Sequence, residues 1–141
     1  MQITRQTEYA IRTLLELAKM PFGQLLSART ISEKQDIPEV FLKKTIQILA
    51  RANLVFTQRG TQGGVRLAKP ADQITLMEVL TAVEGPLAIN VCLASGYPCP
   101  NKPHCGVRRI LERAQAALAA ELGKETLADI LAEANSSSIK K

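Results

Sequence analysis

Apolar residues recur at helical spacing in three successive segments at the start of the chain. From residue 5 to residue 20 they fall three or four positions apart, and the run stops at a Pro-Phe-Gly turn. Ser27 can cap a second, short helix that ends near Gln35, and Pro38 suits the first position of a third helix that reaches Arg51. The predicted inward side of this third helix consists of Phe41, Leu42, Thr45, Ile46 and Leu49.

The pattern then changes to two short β-prone runs. Residues 54–59 and 65–68 flank the connection GTQGG at residues 60–64, which predicts a hairpin with a flexible tip. Two short helices followed directly by a hairpin are typical of a winged helix-turn-helix. We therefore predict a mainly α fold with a small β-hairpin, in which residues 1–85 form a winged helix-turn-helix DNA-binding domain.

Capping patterns and an apolar stripe organise the second half of the chain. Thr75 and Glu78 form a capping-box pattern for a fourth helix that ends near Gly85. After Gly106, an Ala-rich stripe marks a helix of about sixteen residues, suited to close approach by a second copy or to ordinary packing within the chain. Thr126 can cap a short last helix. The predicted units are a cysteine-bearing loop (86–106), a dimerisation helix with a short C-terminal helix (107–135) and a disordered tail (136–141).

The basic residues are concentrated in the first half. Residues 1–70 hold eleven Lys and Arg against five Asp and Glu, a net +6, whereas residues 71–141 hold seven against eight, a net −1. This asymmetry favours a polyanion partner for the first half, although a solvated basic face gives the same numbers. Because the basic half coincides with the predicted winged helix, we expect it to bind double-stranded DNA.

Composition excludes several other classes. The chain has 141 residues, of which 46% are apolar, enough for a core without disulfide staples. No signal peptide is recognisable, and the longest uncharged run, residues 85–101, is broken by prolines, so we expect a cytoplasmic protein with no membrane partner. The sequence contains no Ser/His/Asp set, no pair of carboxylates in a loop and no phosphate-binding glycine motif. We therefore do not expect an enzyme.

All three cysteines lie within fourteen positions, at Cys92, Cys99 and Cys105. The spacing C-x6-C-x5-C lacks the paired C-x2-C knuckles of most zinc sites and differs from the ferredoxin run. Prolines and glycines between them favour reversals of the chain that bring the thiols together. An iron-sulfur cluster, one ligand short, is the favoured interpretation; unliganded or redox-active cysteines and a zinc site are the alternatives.

Four stretches together resemble the winged-helix regulators that include IscR and NsrR. They are MQITRQTEYAIR at the start, RGTQGGVRL at residues 59–67, ITLMEVLTAVEG at residues 74–85 and the cysteine loop. The resemblance covers residues 1 to about 133. It implies a homodimer crossed by the long helix, and a repressor whose operator affinity depends on an iron-sulfur cluster that senses nitric oxide, redox state or iron-sulfur status.

The same resemblance implies a ligand set for the cluster. Cys92, Cys99 and Cys105 match the cluster thiolates, and the 4Fe-4S form is favoured over 2Fe-2S. IscR-like members carry a histidine ligand three positions after the last cysteine, where this chain has Arg108. NsrR-like members use a carboxylate of the partner's first helix, which matches Glu8; His104 and a small molecule stay open as alternatives for the fourth ligand.

The resemblance also implies a set of DNA contacts. Lys43, Lys44 and Gln47 would face the major groove, and Arg59 with Gly60 would bring the wing to the minor groove, while Thr4 and Arg5 would lie near phosphate. Two other functions stay open: a cluster-free regulator that responds through thiol oxidation or cysteine metabolism, and a small iron-sulfur carrier protein.

Overall fold

The computed structural model describes residues 3–90, 93 and 105–139, with side chains as far as Ala134. Six helices and one antiparallel hairpin make up this part of the chain, which confirms the predicted fold class. The elements are α1 (Arg5–Ala18), α2 (Ala28–Gln35), α3 (Glu39–Arg51), β1 (Val55–Gln58), β2 (Gly64–Leu67), a 3-10 turn (Ala71–Gln73), α4 (Leu76–Glu84), α5 (Gly106–Leu122) and α6 (Leu127–Ile139).

Side-chain caps fix where the helices begin. Ser27 Oγ accepts the backbone N–H of Thr30, and Thr75 Oγ1 accepts that of Glu78, as the sequence patterns predict. At α6 the capping is reciprocal, because Thr126 N donates to Asp129 Oδ2 while Asp129 N donates to Thr126 Oγ1. Each cap satisfies backbone donors that the first turn leaves without an intrahelical acceptor.

One core joins the first four helices, the hairpin and the start of α6. Helix α1 packs against α2, α3, α4, α6 and β2, and is therefore central to the fold. Phe41 is not part of this core: half of its surface is exposed, so its predicted inward position is wrong. The buried apolar side chains are Ala10, Leu14, Leu17, Ile31, Ile37, Leu42, Ile46, Leu49, Leu54, Val55, Val65, Leu67, Ile74, Val79, Leu80 and Leu127.

The wing is fastened to the helices through its second strand. Val55 pairs with Leu67 and Gln58 pairs with Gly64 across the hairpin. On its other side, β2 exchanges two backbone hydrogen bonds between Val65 and Leu26, at 2.8 and 2.9 Å. Gly64 permits this approach, because a Cβ there would lie 2.4 Å from the carbonyl oxygen of Leu26. The wing tip is thereby held at a fixed place beside α2 and α3.

Helices α5 and α6 differ in how they relate to this core. The first residue of α6, Leu127, is fully buried and donates its backbone N–H to Ile74, so α6 returns to the winged helix instead of grouping with α5. Helix α6 also runs to Ile139, so the segment predicted as a tail is helical over residues 136–139. Within the described ranges, no helix combines the length and apolar character needed to cross a bilayer.

Candidate DNA-binding surface and cysteine segment

A groove between α3 and the wing gathers four of the predicted DNA-binding residues. Lys43 and Gln47 lie on the α3 side, and Arg59 and Gly60 lie at the wing tip. The groove has a volume of about 820 Å³, and its floor is made by the start of α2 and by Val65. Gly60 has a φ of 110°, and Gly63 N donates to Gly60 O to close the turn. This left-handed conformation is one that glycine adopts without strain.

A second groove lies on the other side of α3, against α1. Arg5, Lys44 and the aromatic rings of Tyr9 and Phe41 line it, and the two ring centroids lie 6.4 Å apart. Lys44 Nζ lies 6.0 Å from the centroid of Phe41, and the Arg12 guanidinium carbon lies 5.9 Å from that of Tyr9. We call the two clefts the wing groove and the α1–α3 groove.

The charges of the two grooves have one sign. No carboxylate is among the described residues that line either of them. Lys43, Arg59, Arg5 and Lys44 thus present positive charge on both sides of α3. A surface of this kind, a helix flanked by cationic grooves, suits the phosphate backbones on either side of a DNA groove.

Thr4 has a structural role in addition to its predicted place near phosphate. It is the N-cap of α1, where its hydroxyl oxygen accepts the backbone N–H of Thr7 and its O–H donates to Glu84 Oε1 at 2.5 Å. The buried Thr7 hydroxyl donates to the same oxygen at 2.7 Å. These hydrogen bonds hold the pKa of Glu84 below its ordinary value, because they stabilise the carboxylate. Glu84 therefore ties the end of α4 to the start of α1.

Glu16 ties the other end of α1 to α2. Its side chain is buried, accepts from Lys19 Nζ at 2.8 Å and accepts from Gln35 Nε2 at 2.5 Å. Burial raises the pKa of Glu16, but hydrogen bonds from Lys19 and Gln35 outweigh burial and leave the pKa below its ordinary value. The sequence pattern did not identify this carboxylate, because an acidic residue on an amphipathic helix is usually exposed.

Of the predicted cluster ligands, the structure describes Cys105 and Glu8. Cys105 is the N-cap of α5, and its sulfur accepts the backbone N–H of Arg108 at 3.3 Å. Glu8 lies in the first turn of α1 and is exposed. Cys92 and Cys99, together with His104, lie outside the described residues. Among the described residues, no three His, Cys, Asp or Glu side chains come together as a metal site.

Helix α5 leaves an apolar stripe in solvent. None of its residues is buried, although Leu111 and Leu122 are half-buried against the same chain. Ile89 N donates to Gln115 Oε1 at 3.0 Å, which holds the segment after α4 along this inner side. The outer side carries what we call the exposed stripe: Val107, Ile110, Ala114 and Leu118.

The helix-turn-helix, the attached wing and the cationic grooves define a winged-helix DNA-binding transcription regulator. The chain belongs to the Rrf2 family, described as iron-dependent transcriptional regulators, whose profile matches residues 3–133. Members of this family bind DNA and generally act as dimers.

The chain is also similar to individual proteins over most of its length. The protein aau3 of Rhizobium meliloti (strain 1021) is 38% identical over 133 residues, which cover 93% of this chain and 85% of that protein. CymR, the global cysteine regulator of B. subtilis, has 25% identity and a TM-score of 0.75, with 94% of this chain and 98% of CymR covered. IscR of T. potens has 26% identity and a TM-score of 0.73, with 95% and 88% covered.

Proposed function

We propose that this protein is a homodimeric transcription repressor whose operator affinity is controlled by an iron-sulfur cluster. Cys92, Cys99 and Cys105 would supply thiolates, and Glu8 of the partner subunit would complete the ligand set. The signal would be nitric oxide, redox state or iron-sulfur status. The 4Fe-4S form is favoured over 2Fe-2S, because the resemblance is to the NsrR-like ligand set.

The observation that carries this proposal is the position of Cys105. It caps α5, the helix whose exposed stripe needs a partner, so one thiol lies where the cysteine segment enters the dimerisation helix. The exposed Glu8 carboxylate is also accessible to a second subunit. The positions of Cys105 and Glu8 support the proposal of a cluster held between two chains.

The fold offers a route from the cysteine segment to the DNA-binding surface. Glu84, the last residue of α4, accepts hydrogen bonds from the hydroxyls of Thr4 and Thr7. The cysteine segment begins soon after it in the sequence. Arg5, the first residue of α1, lines the α1–α3 groove, and Glu8 lies in the same first turn of the helix. Ligation at Glu8 would therefore fix the turn of α1 that carries Arg5. When bound, a cluster supplies iron that can be oxidised, nitrosylated or lost.

DNA recognition would use the two grooves in each subunit. Helix α3 would enter the major groove through Lys43, Lys44 and Gln47, and the wing tip at Arg59 and Gly60 would reach the adjacent minor groove. Arg5 would contact phosphate beside α1. A two-fold dimer requires a partly palindromic operator with half-sites roughly 34 Å apart.

The likeness to CymR supports a second candidate, a cluster-free regulator of cysteine metabolism or thiol state. Its TM-score of 0.75 is as high as that of IscR, 0.73. In such a regulator the same thiols would be oxidised, or a partner enzyme would bind, without any metal. A small iron-sulfur carrier is a third candidate and requires no DNA binding at all.

One set of binding measurements separates these candidates. Operators are first selected from a library of random duplexes about 30 base pairs long, enough for two half-sites one turn apart, once with the anaerobically purified protein and once with metal-free protein. Affinity for each selected operator is then measured for cluster-loaded protein, for metal-free protein and for Cys105→Ser, with iron and sulfide quantified in each sample.

The proposed repressor predicts iron and sulfide in the native protein, their loss in Cys105→Ser, and at least about a tenfold difference in affinity between loaded and metal-free protein, equivalent to about 1.4 kcal/mol. Equal affinities in both forms, together with an oxidant response of the metal-free protein, would favour the thiol-based regulator. A cluster without any selected operator would favour the carrier.

A further inference from the structure

Two large apolar side chains lie exposed on the helix proposed to read DNA. Val40 is 65% exposed and Phe41 is 50% exposed, and both belong to the first turn of α3. The core is closed without Val40, because the buried residues of α3 are Leu42, Thr45, Ile46 and Leu49. These two exposed side chains are the apolar pair of α3.

Val40 lies on the outermost line of the helix. With successive residues about 100° apart, Val40, Lys44, Gln47 and Arg51 fall within about 60° of one another around the axis. All four are exposed. An apolar β-branched side chain thus stands at the N-terminal end of a line that is otherwise polar and cationic. In a helix-turn-helix, the N-terminal residues of the recognition helix contact the base edges.

The cations on either side of the apolar pair indicate which kind of partner covers it. Lys43 borders the wing groove on one side of Val40, and Lys44 and Phe41 border the α1–α3 groove on the other. An apolar protein partner would have to cover these cations without offering them counter-charge, whereas a DNA groove has phosphates along both edges. The single strongly apolar group that DNA presents in the major groove is the 5-methyl of thymine.

We infer that Val40 and Phe41 read thymine methyl groups, and that each operator half-site contains thymines at the positions that face them. This inference rests on the proposed DNA-binding role of α3. Lys43, Lys44 and Gln47 would fix the register of the helix, while the apolar pair would select thymine over cytosine by contact with the methyl.

Uracil in place of thymine tests the inference, because it removes the methyl and leaves base pairing unchanged. Using the selected operator described above, each thymine of a half-site is replaced in turn by deoxyuridine, and dissociation constants are measured by fluorescence anisotropy. Unaltered protein is expected to lose about fourfold in affinity at each contacted thymine, the equivalent of about 0.8 kcal/mol for one buried methyl-sized group.

The variants assign the methyl groups to side chains. Val40→Ala is expected to abolish the preference for thymine at one position of the half-site, and Phe41→Ala at another, with no change in the salt dependence of binding because no charge is removed. Phe22→Ala is the matched control: Phe22 is 57% exposed but lies in the loop between α1 and α2, and the full preference should persist. If Val40→Ala binds too weakly to measure, Val40→Thr keeps one methyl and should show a reduced preference.

The outcomes separate this inference from the role on which it rests. Failure to enrich any operator from the library would remove the DNA-binding proposal itself. If an enriched operator binds equally well with thymine or uracil at every position, the inferred contact with thymine methyl groups is wrong, while DNA binding by α3 still stands. The same holds if Val40→Ala and Phe41→Ala keep the full preference of the unaltered protein.

Discussion

Helices α3 and α5 are both amphipathic, yet of the two only α3 buries apolar residues against its own chain. Helix α3 has 13 residues and buries Leu42, Thr45, Ile46 and Leu49 against α1, α2, α4 and the wing. Helix α5 has 17 residues and buries none, with Val107 at 64% exposure and Ile110 at 57%. An apolar stripe along one helix is a common site of protein association, because surface of this kind is rarely left in water.

The winged helix is a self-sufficient unit, whereas α5 is not. The winged helix, including the start of α6, has its own core and its caps. Helix α5 contributes no buried residue to that core and carries the exposed stripe. Dimerisation through α5 would therefore add DNA affinity without being needed for the winged helix to fold.

A charge placed on the exposed stripe should have the largest effect on dimerisation and on operator affinity. Ile110→Asp is expected to convert the dimer to a monomer, because a carboxylate would be desolvated in the helix interface. Operator affinity should fall at least about 100-fold, since two linked half-site contacts become independent. Sedimentation and anisotropy measure the two effects. Ala116→Asp, on the polar side of the same helix, adds the same charge and should leave the dimer intact; monomers in both variants would contradict the assignment of the stripe.

Removal of one cation from the wing groove should have an intermediate effect. Arg59→Ala is expected to weaken operator binding by about tenfold and to lower the slope of log affinity against log salt by about one, because one cation close to the DNA phosphates is lost. Lys124→Ala removes the same charge beyond the end of α5, where it pairs with Glu121, and should leave the slope unchanged. An unchanged slope for Arg59→Ala would place the wing away from DNA.

The smallest effect is expected at the link between α4 and α1. Glu84→Gln should lower the free energy of unfolding by about 1 kcal/mol near neutral pH, because the hydrogen bonds from Thr4 and Thr7 lose their charged acceptor. The pKa of Glu84 is depressed in the folded state, so this stabilisation is present above the ordinary value of 4.5 and is lost as pH falls through the lower folded-state pKa.

Urea unfolding of Glu84→Gln and of the unaltered protein over a range of pH measures this difference. The two curves of stability against pH should converge on the acid side. Glu112→Gln, whose carboxylate pairs with Arg108 on α5 and is half exposed, is the control and should change stability by less than about 0.5 kcal/mol. A constant difference between Glu84→Gln and the unaltered protein at all pH values would contradict the carboxylate's role.

Local signals explain which features could be predicted from the sequence. Helical spacing, the caps at Ser27, Thr75 and Thr126 and the glycine-rich wing all act within a few residues, and the structure confirms each of them. The apolar pattern of α3 predicts Phe41 on the inward side, but at position 41 the helix faces the α1–α3 groove.

The features that the sequence could not reveal depend on distant partners. Glu84 meets Thr4 across eighty positions, and Glu16 meets Gln35 across nineteen, so no local pattern marks either pair. The extension of α6 to Ile139 includes three consecutive serines at 136–138, whose low helix propensity favoured a tail. Of the proposed site residues, four share the wing groove and two share the α1–α3 groove, an arrangement that only the packing of α1, α3 and β2 creates.

The most direct test of the central claim, a cluster shared between two subunits, is native mass spectrometry of protein kept free of oxygen. We expect a dimer that carries the additional mass of iron and sulfide, and the loss of that mass in Cys105→Ser. In Glu8→Ala we expect a smaller fraction of dimers to retain it. A dimer with the mass of the polypeptides alone, even after reconstitution with iron and sulfide, would contradict the account.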